Sequence, residues 1–426
     1  MKIAFLLHDV YGIGGTIRTT LNLAAALADH HDVEIVSMRR HREQPRFAID
    51  PRVRLIPLVD VRPGSPDLDD PLYDRPSRVF PSAENRHHQY SALVDARAEE
   101  YLRYSDASVL IGTRPGVNVY LAEFGPRRAL RIAQEHLSHD VHSKRLRAQL
   151  APYYRRLDAL VTMTDADAAV YRKRMPLPGV RVLSVPNSVP QPAGPPSDGT
   201  AKVVAAAGRL ARGKRYDLLI EAYATVAAKH PDWRLRLYGD GPERGRLTRL
   251  IADAGLQDTV ELMGVRSPID PEFAQASIVA VTSDAESFGM TIVEAMRCGV
   301  PVVSTDCPLG PAEIIRHGAD GLLVPVRNAA ALAEALLRLI EDESGRRRMA
   351  ATALENAARF DPEHIAGRYE LLFAELDATR GDRARARQRA VLRAGTADAL
   401  RRVGLLKAAR RTVGRLRGLG FARTAH

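Results

Sequence analysis

Cysteine is nearly absent from this 426-residue chain, and so are long apolar runs. The two cysteines, Cys298 and Cys307, are too few for a disulfide framework and lack the spacing of a metal site, so we expect small buried residues in a reducing compartment. No apolar run reaches the roughly 18 residues of a membrane span. The segment Ile3–Leu7 is too short for a signal-peptide core of about 7–15 residues. These features predict a cytoplasmic protein.

Lysine is also scarce, with seven among 62 cations, and most of the chain has no excess of either charge. The formal net charge is +11, but residues 380–426 hold fourteen basic and two acidic side chains, a surplus of +12. Residues 1–379 are therefore close to neutral. A domain built to coat nucleic acid should carry its own basic face, so we expect no nucleic-acid partner.

Strand and helix patterns alternate along the chain and predict an α/β fold with parallel sheets. The opening predicts a strand over residues 2–7, a glycine-rich turn, a helix over 18–29 and a second strand over 33–36. Residues 60–90 contain five prolines and predict a long loop. Residues 186–201 contain five more and predict a linker, after which the alternation restarts.

The predicted architecture is therefore two Rossmann-like, doubly wound domains with a cleft between them. The first covers residues 1–190 and the second, after the 186–201 linker, residues 201–361. A helix over about 362–378 has one apolar face. Residues 380–426 form a basic tail, which predicts either an amphipathic helix on anionic lipid or a disordered, solvated segment.

The first loop carries Gly12, Gly14 and Gly15, which invites a dinucleotide-binding interpretation. The third glycine of that motif would fall at Ile17, so a nicotinamide dehydrogenase is a weak alternative. A tight turn between strand and helix would explain the glycines equally simply. A loop that faces an anion or substrate is favoured, because glycines let backbone N–H groups approach a phosphate.

The second domain has two groups of polar residues at predicted strand ends. Arg209 and Lys214 follow the strand at 202–207 and could neutralise a diphosphate, although two solvated charges are the simpler interpretation. Glu286 and Glu294 lie eight residues apart across a loop that leads into a helix. N–H groups around residues 289–291 would face that loop and suit a phosphate, whereas Glu294 by itself could serve only the helix dipole.

Taken together and in this order, these residues resemble the retaining GT-B glycosyltransferases of family 4, the glycogen-synthase-like group. The resemblance runs to about residue 378. Its further motifs are Gln134-Glu-His136, Val185-Pro-Asn187, Gly239-Asp-Gly-Pro242 and Gly318-Ala-Asp-Gly321.

The resemblance implies roles residue by residue. Arg209 and Lys214 would hold the donor diphosphate, Glu294 the ribose hydroxyls and Glu286 the donor sugar. His136 would line the reaction centre, although a lone histidine is more often structural. The other donor-binding residues implied are Gly14, Gly15, Arg266, Phe288, Gly289, Met290 and Thr291.

The implied reaction transfers a sugar from a UDP- or GDP-sugar to a hydroxyl with retention, the leaving phosphate helping to take the proton. No metal or other cofactor is expected. The two glutamates are not expected to act as the pair of catalytic carboxylates that glycosidases use. The sequence departs from the family at Ser188, where glycine is usual, and at Ile17, where many relatives have glutamate. Both departures concern the acceptor more than the donor.

The expected acceptor is a cell-envelope glycan, a polyol phosphate or a lipid-linked saccharide. Segments similar to Gly310-Pro-Ala-Glu313-Ile-Ile occur in family members that decorate bacterial surface polymers, which supports this acceptor class lightly. The alternatives are a GT-B nucleotide-sugar epimerase and a non-catalytic, membrane-associated binding protein. The tail would place the protein on the inner face of the membrane.

Overall fold

The computed structural model describes the backbone of residues 1–402 and the side chains of residues 1–393. The first domain holds a parallel sheet of seven strands: β1 Lys2–Leu7, β2 Asp32–Arg40, β3 Arg54–Asp60, β4 Val109–Gly112, β5 Leu130–Glu135, β6 Ala159–Thr162 and β7 Arg181–Ser184. Their order in the sheet is β3-β2-β1-β4-β5-β6-β7. The order reverses between β1 and β4, which opens a crevice at the carboxyl ends of these two strands.

The second domain repeats this plan with a parallel sheet of six strands: β8 Val203–Ala207, β9 Arg234–Tyr238, β10 Val260–Gly264, β11 Ile278–Val281, β12 Val302–Thr305 and β13 Gly321–Val324. Their order is β10-β9-β8-β11-β12-β13. The equivalent crevice therefore lies between β8 and β11. The predicted class of two doubly wound α/β domains is confirmed.

The helices fall into three groups. Those of the first domain are α1 Gly15–Leu27, α2 Ala92–Tyr104, α3 Pro115–Phe124, α4 Lys144–Tyr154 and α5 Asp165–Arg174. Those of the second are α6 Tyr216–Lys229, α7 Arg244–Asp253, α8 Asp270–Phe273, α9 Met290–Arg297, α10 Pro311–Ile314, α11 Ala329–Glu341 and α12 Glu343–Ala357. Two more follow: α13 Pro362–Ala378 and α14 Arg380–Arg402.

Both faces of each sheet are buried, as a doubly wound fold requires. In β1, Ile3 and Phe5 belong to one apolar cluster, whereas Ala4 and Leu6 belong to another on the opposite face. The cluster around Ile3 continues through α1 and α13 to α9 of the second domain. Apolar packing therefore joins the two domains.

Strand β3 was absent from the sequence-based prediction because Pro57 interrupts its pattern. In the structure β3 is the edge strand of the first sheet, where proline is tolerated because an edge strand lacks a neighbour on one side. Residues 61–91 follow it with only two short 3-10 turns, which confirms the predicted long loop.

Helix α13 packs against α1 and returns the chain to the first domain. Its buried side chains include Tyr369, whose hydroxyl accepts a hydrogen bond of 2.6 Å from Gln134 Nε2 on β5. The linker is also held in place. The guanidinium of Arg297 donates to Val189 O and Gln191 Oε1, both at 3.1 Å, and forms an ion pair with Asp361.

The predicted tail begins too early. Arg383, on α14, is 8% exposed and lies 3.1 Å from Asp158 of the first domain. Arg387 contacts the same carboxylate at 3.2 Å and also donates to Gly179 O. Residues 380–387 are therefore part of the packed structure rather than an appendage. Helix α14 continues to Arg402, and residues 403–426, the last part of the predicted tail, lie outside the described residues.

The predictions about the two cysteines and about membrane spans can be compared with the structure. Cys298 and Cys307 are buried and unpaired, which confirms their interpretation as small core residues. Among the helices of the described part of the chain, none combines the length and the apolar character needed to cross a bilayer.

Candidate functional site

The carboxyl ends of the two sheets meet at a cleft that two charged side chains, Arg18 and Glu313, bridge. Arg18 on α1 lies 3.1 Å from Glu294 on α9 and 3.6 Å from Asp270 on α8. Glu313 on α10 accepts hydrogen bonds of 2.8 Å from the backbone N–H groups of Asp165 and Ala166. The Glu313 carboxylate thus satisfies the N-terminus of α5 in the other domain.

Lys214 and Glu286 meet in the crevice of the second domain. Lys214 lies on the turn after β8 and Glu286 on the loop after β11, so adjacent strands position them. Lys214 Nζ donates to Glu286 Oε1 at 2.5 Å, and Ser283 Oγ donates to the same oxygen at 2.7 Å. Thr282 Oγ1 also fixes the turn by donating to Lys214 O at 2.8 Å.

Arg209 differs from Lys214 in having no partner. It lies two residues after β8, and its side chain is exposed and forms no hydrogen bond or ion pair within residues 1–393. One cation of the predicted diphosphate site is therefore neutralised by a carboxylate and the other is free.

The loop after Glu286 is held by close backbone packing. Gly289 has a φ of +113°, which favours glycine, and it immediately precedes α9. Phe288 is buried against the ring of Phe360 at 5.6 Å. A Cβ atom on Gly310 would lie only 1.7 Å from Phe288 O, so the neighbouring loop requires glycine there. Met290 remains partly exposed in the first turn of α9.

Thr291 is partly exposed beside Met290 in the first turn of α9, and its role in phosphate binding stays a prediction. Glu294 lies about one turn further on and is largely buried. Burial raises the pKa of Glu294, Arg18 opposes this shift, and Asp270 adds to it. The carboxylate expected to bind ribose is thus paired across the cleft.

The first domain contributes Gly14, Gly15 and His136. A Cβ atom on either glycine would meet no atom within 4 Å, so space is open at the start of α1. His136 follows β5, and its Nε2 lies 3.3 Å from Gln134 Oε1 while its Nδ1 is buried without a partner. Burial lowers the pKa of His136 to about 4, so the imidazole is neutral near pH 7.

Arg266 is not brought to the Lys214–Glu286 pair. It is exposed on the loop after β10, the edge strand of the second sheet, and its contacts are Val265 O and Glu272 at 3.5 Å. Its implied role in donor binding stays a prediction.

Sequence reasoning missed the partners of these residues. It placed Arg18 only at the start of the first helix and Glu313 only in a segment linked to the acceptor class, whereas both reach the other domain. The signal that could have found them is charge: each lies at a strand-to-helix junction on the cleft side. Among the described residues, His, Cys, Asp and Glu form no group of three or more placed to hold a metal ion.

Solved structures share this architecture. Staphylococcus aureus TarM, in a complex with fondaparinux, alpha-GlcNAc-glycerol and UDP, superposes with a TM-score of 0.71 at 18% identity, covering 87% of this chain and 99% of its own. Anabaena HepE with UDP and glucose gives 0.67 at 20% identity, covering 88% and 99%. The fold is therefore GT-B.

Sequence comparison links the second domain to a known family. Residues 190–356 match the family described as Glycosyl transferases group 1. An exopolysaccharide phosphotransferase of Streptomyces coelicolor is 37% identical over 409 residues, which are 92% of this chain. The chain spans only 42% of the length of that protein. A poly(glycerol-phosphate) alpha-glucosyltransferase of Bacillus subtilis is 30% identical over 158 residues, 37% of this chain and 24% of that protein.

Proposed function

We propose that the protein is a retaining glycosyltransferase that moves a sugar from a nucleotide diphosphate donor to a hydroxyl of a cell-envelope acceptor. The observation that carries this proposal is the Lys214–Glu286 pair beside the unpaired Arg209 in the crevice of the second sheet. Two cations and one carboxylate at this position suit a diphosphate linked to a sugar. The group 1 match of the same domain and the UDP in the TarM and HepE structures support it.

Each residue has a distinct task in the proposed reaction. Arg209 binds the diphosphate by its planar fork, and Lys214 offsets the charge that builds on the leaving nucleotide. Glu286 then exchanges part of its contact with Lys214 for the donor sugar. Glu294 binds ribose hydroxyls, and its ion pair with Arg18 must weaken when it does so.

The acceptor hydroxyl attacks the anomeric carbon from the face that the nucleotide diphosphate leaves, and a phosphate oxygen takes its proton. The C1–O bond breaks, and the new C1–O bond keeps the anomeric configuration. His136, neutral and partly buried, donates or accepts a hydrogen bond at the sugar rather than acting as an acid. No metal has a task in this scheme.

The experiment is a binding screen of UDP-, GDP- and ADP-sugars followed by transfer assays with the best donor. Retention predicts an α-linked product from an α-linked donor, read by NMR coupling at the anomeric proton. An epimerase would change the donor sugar without any acceptor. A binding protein without catalytic activity would neither hydrolyse nor transfer. A β-linked product would refute retention.

The Streptomyces relative favours a second candidate, the transfer of a sugar phosphate to an exopolysaccharide. This reaction breaks the P–O–P bond of the donor and releases a nucleoside monophosphate, whereas glycosyl transfer releases the diphosphate. The released nucleotide therefore distinguishes the two reactions. Diphosphate release is expected, because Arg209 and Lys214 are placed to stabilise a diphosphate leaving group.

A further inference from the structure

Three arginines surround a partly buried histidine, His8, in the crevice of the first domain, away from the proposed donor residues. His8 follows β1, Arg39 lies near the end of β2, and Arg114 follows β4. The strands are neighbours in the order β2-β1-β4, so these side chains share one edge of the sheet. Arg86 joins them from the 61–91 loop. Residues Arg39, Arg86 and Arg114 are called the arginine cluster below.

Among the described residues, only one member of the arginine cluster pairs its guanidinium with a carboxylate, although the backbone N–H of Arg86 also donates to Glu84 Oε1 at 3.4 Å. Arg114 forms two hydrogen bonds to Glu84, at 3.1 and 2.6 Å. Arg39 and Arg86 form no ion pair with any carboxylate of the described residues. Instead, one nitrogen of each donates to a single neutral oxygen, Gln89 Oε1, at 3.0 and 3.2 Å. The Nε of Arg39 is buried without a partner.

Two guanidinium groups on one amide oxygen repel each other, because the amide supplies only a partial charge. The pKa of His8 reflects the positive potential that these arginines create. Burial, followed by Arg114, Arg86 and Arg39, lowers the pKa of His8 to about 2. The imidazole is therefore neutral and accepts or donates only a hydrogen bond, to the Tyr90 hydroxyl at 2.8 Å. The crevice holds more positive charge than its own side chains offset.

We propose that the arginine cluster binds a phosphate group of the acceptor substrate. A phosphate would replace the Gln89 oxygen as the shared partner, since arginine forks match its geometry and charge. The crevice between β1 and β4 is where a doubly wound sheet places its ligand. This inference rests on the proposed function, because it names the acceptor of the same transferase.

The position of the cluster sets the size of the acceptor. His136 follows β5, which is two strands from β1 in the sheet. At about 4.8 Å per strand, the end of β1 lies roughly 10 Å from His136, and the end of β2, which carries Arg39, roughly 14 Å. An acceptor would therefore present its hydroxyl about 10–14 Å from its phosphate. A polyol phosphate and a lipid-linked saccharide phosphate both meet this condition.

The first test measures phosphate binding without any reaction. Inorganic phosphate and glycerol 2-phosphate are titrated into the full chain, with glycerol as the uncharged control, by calorimetry and by the ring resonances of His8. Arg39→Gln and Arg86→Gln should each weaken phosphate binding about tenfold or more, since hydrogen bonds to charged groups are the strong ones. Arg103→Gln, on the exposed face of α2, should change nothing.

The second test uses turnover. Both cluster variants should raise KM for a phosphorylated acceptor about tenfold or more and leave KM for the donor unchanged. Arg39→Lys should rescue part of the effect, because it restores the charge but not the fork. Arg86 is exposed, so Arg86→Gln should fold normally even if the Arg39 variant does not. A soluble glycerol phosphate oligomer and a polyprenyl phosphate in micelles form two arms that separate polymer from lipid acceptors.

Different results would overturn the phosphate site and the proposed sugar transfer. Phosphate affinity that is unchanged in both variants would overturn the arginine cluster as a site while leaving sugar transfer intact. Phosphate binding that depends on the cluster, in a protein that transfers no sugar, would overturn the proposed function and not the site. Equal KM for phosphorylated and unphosphorylated acceptors would also count against the site.

Discussion

Arg18 of the first domain and Glu294 of the second form an ion pair of 3.1 Å across the cleft. Glu294 is largely buried, and it is the carboxylate proposed to bind the donor ribose. A ribose that binds Glu294 must weaken its ion pair with Arg18, which is one of the contacts between the domains. Donor binding and domain movement are expected to be coupled through this pair.

Replacement of Arg18 by glutamine should destabilise the protein and alter donor binding. The variant leaves a buried carboxylate without its cation, so we expect a loss of about 1–3 kcal/mol in the free energy of unfolding. It also removes the opposition to the raised pKa of Glu294. KM for the donor should then rise as the pH falls. Urea unfolding and donor kinetics from pH 8 to 5.5 measure both effects.

The control is Arg52→Gln, which removes an ion-pairing arginine whose carboxylate partners, Asp50 and Asp29, lie in its own domain. It should leave donor kinetics unchanged. Wild-type stability and an unaltered pH profile in the Arg18 variant would show that the pair has no part in donor binding.

Substitutions of Arg209 and of Lys214 should both lower activity but should differ in their effect on stability. Arg209 has no partner to lose, so Arg209→Gln should lower kcat about 100-fold with no change in unfolding. Lys214→Met should lower kcat by a similar factor and also destabilise the protein, because Glu286 loses its cation. Lys229→Met, at the end of α6, is the matched control. Full turnover in the Arg209 variant would remove that residue from the site.

Much of this site follows from sequence because it lies at strand ends. A glycine-rich turn, Arg209 with Lys214, and Glu286 with Glu294 each follow a strand pattern, and parallel strands bring their carboxyl ends to one edge. The contacts between domains do not follow. Arg18 and Glu294 are 276 residues apart, and no local pattern marks two residues that meet only when two domains pack. The arginine cluster could not be predicted from local sequence either, because its members come together only through the order of the strands in the sheet.

Glu313 should act as a contact between domains rather than as a helix-start residue alone. Glu313→Gln keeps the size of the side chain but removes the charge that favours the N-terminus of α5. We expect a loss of about 1 kcal/mol in the free energy of unfolding and a larger radius of gyration by X-ray scattering. Glu343→Gln, in the first turn of α12, should leave the radius unchanged. An unchanged radius in the Glu313 variant would contradict this role.

Acid should destabilise the protein through two histidines. Folding lowers the pKa of His136 to about 4 and that of His8 to about 2, below the ordinary value of about 6.5. The unfolded chain therefore binds more protons, and stability falls as the pH drops below about 6.5. Asp167 acts in the opposite direction, because burial raises its pKa to about 6 and the folded chain takes up its proton first.

The balance of these three groups predicts a loss of about 1 kcal/mol between pH 6.5 and 5.5. Urea unfolding at four pH values across this range measures it. His8→Gln should flatten the curve, and Asp167→Asn should steepen it. A curve that is flat in the wild-type protein and unchanged by His8→Gln would contradict the lowered pKa of His8.

The first turns of α14 should stabilise the first domain. Asp158 is buried, and it pairs with Arg383 at 3.1 Å and Arg387 at 3.2 Å. A chain that ends at residue 379 loses both arginines and leaves this carboxylate with Arg131 alone, at 3.5 Å. We expect a loss of about 2–4 kcal/mol in the free energy of unfolding. A chain that ends at residue 393 keeps both pairs and should be as stable as the full chain. Equal stability of the two shortened chains would mean that α14 adds nothing to the fold, and the basic segment would again begin at residue 380.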